Sequence, residues 1–291
     1  MVLSEDSIII KLIAWAEKRP DVRAVILTST RAVSGTAGDE FSDYDIILVV
    51  EDIRSYLGDG WLSSFGNVLT VYRDPVREEF GFERFTRVAQ YEDGLKIDFS
   101  VCPVDWLRYT ARRPELPAEL DVGYRIILDK DNQAEGLPPP TYQAFVPHPP
   151  TRTEYLERIE YFFNNCCYAA KHLCRDDLLP LKVCMDYFIQ QEDMLPMLEW
   201  KIGLESGRWQ KSGHYGKGLS KQLDAATWQE LQSTFCGAGD DENWQALWNL
   251  IALFRRVAQE VGEKMGFTYP QAMNDRTIRY LENVRERYHH E

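Results

Sequence analysis

Between Glu135 and Pro150 the chain reads Glu-Gly-Leu-Pro-Pro-Pro-Thr-Tyr-Gln-Ala-Phe-Val-Pro-His-Pro-Pro, with six prolines in sixteen residues. Each proline removes an amide donor and fixes φ, so neither a helix interior nor a central strand can run through this stretch. It predicts a stiff, extended connector over residues 136–150, separating an N-terminal domain, 1–135, from a C-terminal one, 151–291. A chain of 291 residues also exceeds the size at which one hydrophobic core ordinarily stops growing.

The two parts carry different periodicities. Ahead of the connector, Ser4 and Asp6 are placed to cap a helix whose apolar face is Ile8, Ile9, Leu12, Ile13 and Ala16. Runs rich in β-formers follow at 22–28, 44–50, 68–72, 86–91, 95–101 and 125–128, and Asp93-Gly94 is a hairpin turn because both residues tolerate positive φ. One helix, several strands and no regular βαβ alternation predict an α+β domain. After the connector, apolar residues recur at three- and four-residue spacing, as in Tyr155, Ile159, Phe162, Phe163, Cys166 and Ala170. Helices are predicted over 153–173, 178–202, 244–265 and 274–287, with a glycine-rich loop over 203–218.

Charge narrows the function classes. Lysine and arginine total 33 against 46 acidic residues, a net −13, of which −9 falls in residues 1–135. Nucleic-acid binding wants a basic face that releases counterions, so this balance argues against it and favours a cationic small molecule. The six cysteines (102, 166, 167, 174, 184 and 236) include no Cys-x-x-Cys pair, and four lie in apolar helical stretches. They read as reduced, structural thiols of a cytoplasmic protein. Neither a basic leader nor an apolar run of the ~20 residues that span a bilayer is present, so no membrane partner is expected. The five histidines, His148, His172, His214, His289 and His290, have no metal-ligand spacing.

The chemistry concentrates in three aspartates. Asp43 and Asp45 stand two apart at the start of a strand and so point to one face, where they repel unless a cation or proton intervenes. Asp98 lies in a further apolar strand, Lys96-Ile97-Asp98-Phe99-Ser100-Val101. An unpaired carboxylate is costly there. Three such groups can share one or two divalent ions, Mg²⁺ being favoured by hard oxygen ligands, for in-line phosphoryl or nucleotidyl displacement. The plainer alternatives are a capped turn for Asp43-x-Asp45 and an ion pair of Asp98 with Arg84 or Arg87. Upstream, Ser29-Thr30-Arg31 follows a β-run and leads into a stretch containing Gly35 and Gly38. Such a turn can hold a phosphate tail through amides, hydroxyls and the guanidinium, or be an ordinary polar loop.

Strand, small-residue turn, about a dozen residues, Asp-x-Asp and a later strand Asp resemble the nucleotidyltransferases of the polymerase-β-like superfamily. The chain is closer still to the aminoglycoside 6-adenylyltransferases, the streptomycin-modifying enzymes. The resemblance is carried by Ala24-Val25-Ile26-Leu27, Asp43-Tyr44-Asp45-Ile46, Ile97-Asp98, Arg175-Asp176-Asp177-Leu178, Met197-Leu198-Glu199-Trp200, Tyr215-Gly216-Lys217 and Phe267-Thr268-Tyr269-Pro270. One departure stands out: the family usually has Gly-Ser-Arg where this chain has Ser29-Thr30-Arg31.

The resemblance implies a nucleotidyltransferase domain with a mixed sheet and flanking helices, followed by a helical-bundle domain that binds the acceptor. It implies transfer of AMP from ATP to an aminoglycoside hydroxyl, with Asp43, Asp45 and Asp98 holding Mg²⁺. Asp98 either shares the metal or accepts the hydroxyl proton. Ser29, Thr30, Arg31 and Lys182 would face the triphosphate. The acceptor's cationic groups would seek carboxylates among Glu83, Glu92, Asp177, Asp186 and Glu199 in an acidic cleft between the domains, with Trp200 as a stacking surface. Two further readings stay open: transfer to another small molecule, and a nucleotide-binding module without turnover.

Overall fold

The computed structural model describes residues 7–33, 41–210 and 213–288. Ser4, Asp6, Gly35, Gly38, His289 and His290, all singled out above, lie outside the described residues. The chain divides into two compact units, Met1–Phe145 and Val146–Glu291, and the division falls inside the proline-rich segment.

The first unit is α+β. Helix α1 (Ser7–Glu17) is followed by strands β1 (Val22–Thr28), β2 (Tyr44–Val50), β3 (Val68–Arg73), β4 (Arg77–Glu79), β5 (Phe82–Tyr91) and β6 (Lys96–Pro103). Two short helices, α2 (Val104–Ala111) and α3 (Ala118–Asp121), precede β7 (Tyr124–Asp129). The strands form one mixed sheet in the order β3-β5-β6-β2-β1-β7, with β4 paired to β5. Every described pairing is antiparallel except β2 with β6.

Both faces of this sheet are covered, which is why β1 and β2 read as continuous apolar runs instead of alternating ones. Val25, Leu27, Ile46 and Leu48 pack with Leu12 and Trp15 of α1 and with Trp61 and Phe65. Ala24, Ile26, Ile47 and Val49 face the other way, against Trp106 and Leu107 of α2 and Leu120 of α3. Lys130 donates to the carbonyls of Ala16 and Arg19 at 2.9 and 2.7 Å, satisfying acceptors that the end of α1 leaves open.

The N-terminal part of the connector is not a free spacer. Asp121 collects the amides of Thr141, Gln143 and Ala144 and the Thr141 hydroxyl, and Tyr124 donates to Pro138 O at 2.9 Å. The three non-proline residues supply the donors that the prolines lack, so residues 138–144 dock on the first unit. A sequence of prolines shows where helix and strand stop, but not what the intervening amides bond.

The second unit is helical: α4 (Arg152–Leu173), α5 (Leu178–Lys182), a π-helical segment (Val183–Met194), α6 (Leu195–Ser206), α7 (Ala225–Gln232), α8 (Asp240–Met265) and α9 (Gln271–Tyr288). Thr151 and Glu154 close a capping box at the start of α4. The expected loop over 203–218 begins later than its first glycine, because α6 continues to Ser206. Gly203 lies within that helix because a Cβ there would come 2.4 Å from the Trp209 ring. Phe162 of α4 and Phe254 of α8 stack face to face with ring centroids 3.7 Å apart at the centre of the core.

Asp193, in the π-helical segment, is only 2% exposed. Burial pushes its pKa up to about 6, although Asn165 and Arg158 bond the carboxylate and oppose the rise. An acid whose pKa rises on folding binds more protons in the folded chain, so stability falls as pH climbs from about 4 through about 6. Asp193→Asn should remove this slope and recover on the order of 2–3 kcal/mol at most above pH 7. Urea midpoints at pH 4.5 and 7.5 check it; an unchanged slope would show that Asp193 is not its source.

All six cysteines are free thiols, and burial raises the pKa of each. No helix among the described residues is long and apolar enough to cross a membrane.

Candidate active site

The three aspartates meet at one end of the parallel strand pair. In the β2–β6 register Asp45 lies opposite Asp98, and Tyr44 opposite Ile97, so Asp43 extends the same row one step before β2. Strand alternation places Asp45 and Asp98 on the sheet face that carries Ile47, Val49 and Cys102. That apolar patch ends where the carboxylates begin.

Neither Arg84 nor Arg87 serves Asp98. Arg84 pairs with Glu79 and Glu119, and Arg87 lies 3.3 Å from Asp59 while donating to the carbonyls of Leu57, Asp74 and Thr86. The cation is Lys96, two residues before Asp98. Its Nζ is 2.5 Å from Asp43 Oδ2 and donates to Asp98 Oδ2 at 3.1 Å. Asp98 Oδ1 also lies 3.1 Å from the ammonium but accepts no hydrogen bond and is buried. Sequence reasoning applied the two-residue alternation to the aspartates and missed that it puts Lys96 beside them.

Burial and the neighbouring Asp98 raise the Asp45 pKa, and Asp43 adds to the rise; Lys96 and a hydrogen bond from the Ser29 side chain oppose it. Asp98 is raised by burial first, with Lys96 holding it down and Asp43 pushing it up. Burial works against the charge on Lys96, but the bonds to Asp43 and Asp98 outweigh it and leave its pKa raised.

The turn upstream has an unusual backbone. Residues 29–32 form a short 3₁₀ turn directly after β1. Ser29 adopts φ 64°, the left-handed region where glycine is normally preferred. The backbone conformation is therefore the one a glycine would favour, held here by a serine whose side chain serves Asp45. The Ser29 amide donates to Gly123 O at 3.0 Å. Gly123 has to be glycine: its φ is +119°, and a Cβ would lie 2.5 Å from Val33 Cγ2. Ser29→Gly should add roughly 1 kcal/mol of stability by removing the left-handed penalty, with activity kept or raised. A sharp loss of activity at unchanged stability would mean that the hydroxyl on Asp45 is indispensable.

Arg31 works on the aspartate segment. Its guanidinium donates to Ser42 O at 2.7 Å and to Asp43 O at 3.1 Å, and stacks on the Tyr44 ring at 4.0 Å. Those carbonyls precede the β2 ladder, and a five-donor fork suits them. Thr30 is exposed at the tip of the turn.

In the second unit, Lys182 donates to Cys236 O at 3.2 Å and lies 3.3 Å from Asp186. Glu199 is half-buried on α6 and lines a narrow recess with Arg208, Trp209 and Gln222. Trp200 is 8% exposed and belongs to the helical core, so its ring offers no open stacking surface. In the first unit, Glu92 is exposed and accepts from Asn67 at 3.2 Å, while Glu83 pairs with Arg54. Asp177 lies 3.8 Å from His172 in the second unit.

Among the described residues no group of three or more His, Cys, Asp and Glu side chains is arranged so that it could hold a metal ion as it stands. The donors nevertheless fit a hard divalent cation. All are carboxylate oxygens, the Asp43–Asp98 pair already holds one cation, and buried Asp98 Oδ1 has unused accepting capacity.

The sequence pattern of the family described as streptomycin adenylyltransferase matches residues 2–284. The aminoglycoside 6-adenylyltransferase of Campylobacter jejuni is 26% identical over 288 residues, covering 98% of this chain and 97% of the relative. That of Bacillus subtilis (strain 168) is 27% identical over 269 residues, covering 90% and 91%. Among solved structures, an aminoglycoside 6-adenyltransferase from Bacillus subtilis is similar over 97% of this chain and 99% of its own, at 25% identity and a TM-score of 0.47. With the family pattern running through both units, the chain belongs to the streptomycin adenylyltransferase family and is a nucleotidyltransferase by descent.

Proposed function

We propose that this protein transfers AMP from ATP to a hydroxyl of streptomycin or a related aminoglycoside, releasing pyrophosphate. The observation that carries this reading is the row of Asp43, Asp45 and Asp98 on one face of the parallel β2–β6 pair, beside the Ser29 turn. The names of the full-length relatives support the acceptor class.

Asp43, Asp45 and Asp98 would hold Mg²⁺, which when bound neutralises charge on the triphosphate. The residues of the chain do the rest by positioning. Arg31 fixes the Ser42–Asp43 backbone and so the direction from which Asp43 enters. The Ser29 side chain steadies Asp45, and we assign Thr30 and the turn amides that follow Ser29 to the triphosphate tail. Lys182 is the second unit's candidate for the same anion. The acceptor oxygen attacks the α-phosphorus, a new P–O bond forms, and the bond to the β-phosphate breaks, its electron pair leaving with pyrophosphate. Asp98 either shares the metal or, where Asp43 and Asp45 alone hold it, accepts the released hydroxyl proton. Glu92, Asp186 and Glu199 are the carboxylates we propose for the ammonium and guanidinium groups of the acceptor.

Mass spectrometry of streptomycin after incubation with the protein, ATP and Mg²⁺ tests the acceptor. One adenylyl group added per antibiotic molecule is expected. Unmodified streptomycin alongside an adenylated aminoglycoside of another class would move the assignment to that class.

A further inference from the structure

Lys96 has no part in the reaction as proposed, yet it is the cation bonded to two of the three carboxylates. We infer that Lys96 is the resident counter-ion of the site: its ammonium holds Asp43 and Asp98 together in the metal-free protein, and a divalent cation takes those carboxylates by displacing it. The inference rests on reading the three aspartates as metal ligands.

The placement follows from the backbone. Lys96 and Asp98 are alternate residues at the start of β6 and must share a face, and Asp43 comes to the same end because β2 runs parallel to β6. The ammonium therefore meets Asp43 Oδ2 at 2.5 Å and Asp98 Oδ2 at 3.1 Å without any long-range rearrangement. Arg84 and Arg87, on the adjacent strand, are committed elsewhere: Arg84 to Glu79 and Glu119, Arg87 to Asp59 and three carbonyls.

Two features suit Lys96 to leave. Its side chain retains 24% exposure, and a four-carbon stem lets the ammonium swing toward water while the strand stays in place. Three carboxylates against one ammonium also leave negative charge in excess, so the site still attracts a cation while Lys96 is present. Lys96 lowers the site's affinity for a bare divalent ion without abolishing it. A metal arriving with the triphosphate brings its own anion, which gives the displaced ammonium a new partner. The residue thus couples metal binding to nucleotide binding.

The test is Mn²⁺ binding to the nucleotide-free protein, read as loss of the free-Mn²⁺ electron paramagnetic resonance signal. Removing a unit charge beside a partly exposed dication should matter by ~10-fold or more. Lys96→Met is expected to bind Mn²⁺ at least about ten-fold more tightly than the parent, and Lys96→Arg, which keeps the charge, no more tightly than the parent. Lys96→Gln carries the same expectation as Lys96→Met should the latter fail to fold. Adding ATP should narrow the gap between parent and Lys96→Met. Unchanged or weaker Mn²⁺ binding in the uncharged variants, with Asp45→Asn still impairing it, would overturn the counter-ion role and leave the metal reading standing. Mn²⁺ binding indifferent to Asp45→Asn would overturn the metal reading, and the inference with it.

Discussion

Asp45→Asn is expected to cut AMP transfer by about 10²–10³-fold or more while leaving the fold intact, since charge aimed at the reacting phosphate is the main catalytic resource of such a site. Its expected effect on stability separates this prediction from ordinary damage. Asp45 is held in the fold at a raised pKa, by burial first and then by Asp98, so its ionised form is opposed at neutral pH. Replacing it by the isosteric amide removes that opposition, and the variant should unfold at the same or a higher temperature than the parent. Loss of activity with a lowered melting temperature would assign Asp45 a structural role instead. Activity within a few-fold of the parent would remove it from the site.

Phe254→Ala is expected to cost ~3–5 kcal/mol. Phe254 and Phe162 are both fully buried, and their rings lie 3.7 Å apart and nearly parallel between α8 and α4. Truncation removes the stacked contact and leaves a void that the two long helices cannot close without shifting the residues around it. Urea denaturation measures the effect. A loss below about 1 kcal/mol would mean that the helical unit repacks around the void.

These two predictions draw on different degrees of legibility in the sequence. β1 and β2 are visible to the residue because short runs rich in β-branched and other apolar residues, bounded by polar turns, have few other uses. Phe162 was readable as core for a similar reason, through its three- and four-residue neighbours in α4. The short helices α2, α3 and α7 were not visible, since a four- or eight-residue helix completes too few turns to show a period. The π-helical segment was hidden for a different reason. Its composition is that of any helix, and only the hydrogen-bond step distinguishes it.

At the site, the aspartates were legible because carboxylates in apolar strands demand a partner. What partners them was not. An arginine was the plainer alternative partner for Asp98, but Arg84 and Arg87 lie in β5, whose residue opposite Asp98 is Val88. Lys96 lies on the same strand and face as Asp98. Arg31 was read by its charge as a phosphate ligand, and its Nε and Nη2 also bond the carbonyls of Asp43 and Ser42. Sequence reveals a guanidinium but not the acceptors within its reach. Ser29 shows the converse: a residue that departs from the family pattern adopts the left-handed backbone that glycine favours.

The most direct test of the central claim is pyrophosphate release from ATP in the presence of Mg²⁺ and a small aminoglycoside panel, with Asp43→Asn as the control. Release that depends on streptomycin or a related aminoglycoside, and falls to background in Asp43→Asn, is the predicted result. Bound ATP with no pyrophosphate released for any aminoglycoside, or release equal in the parent and Asp43→Asn, would contradict it.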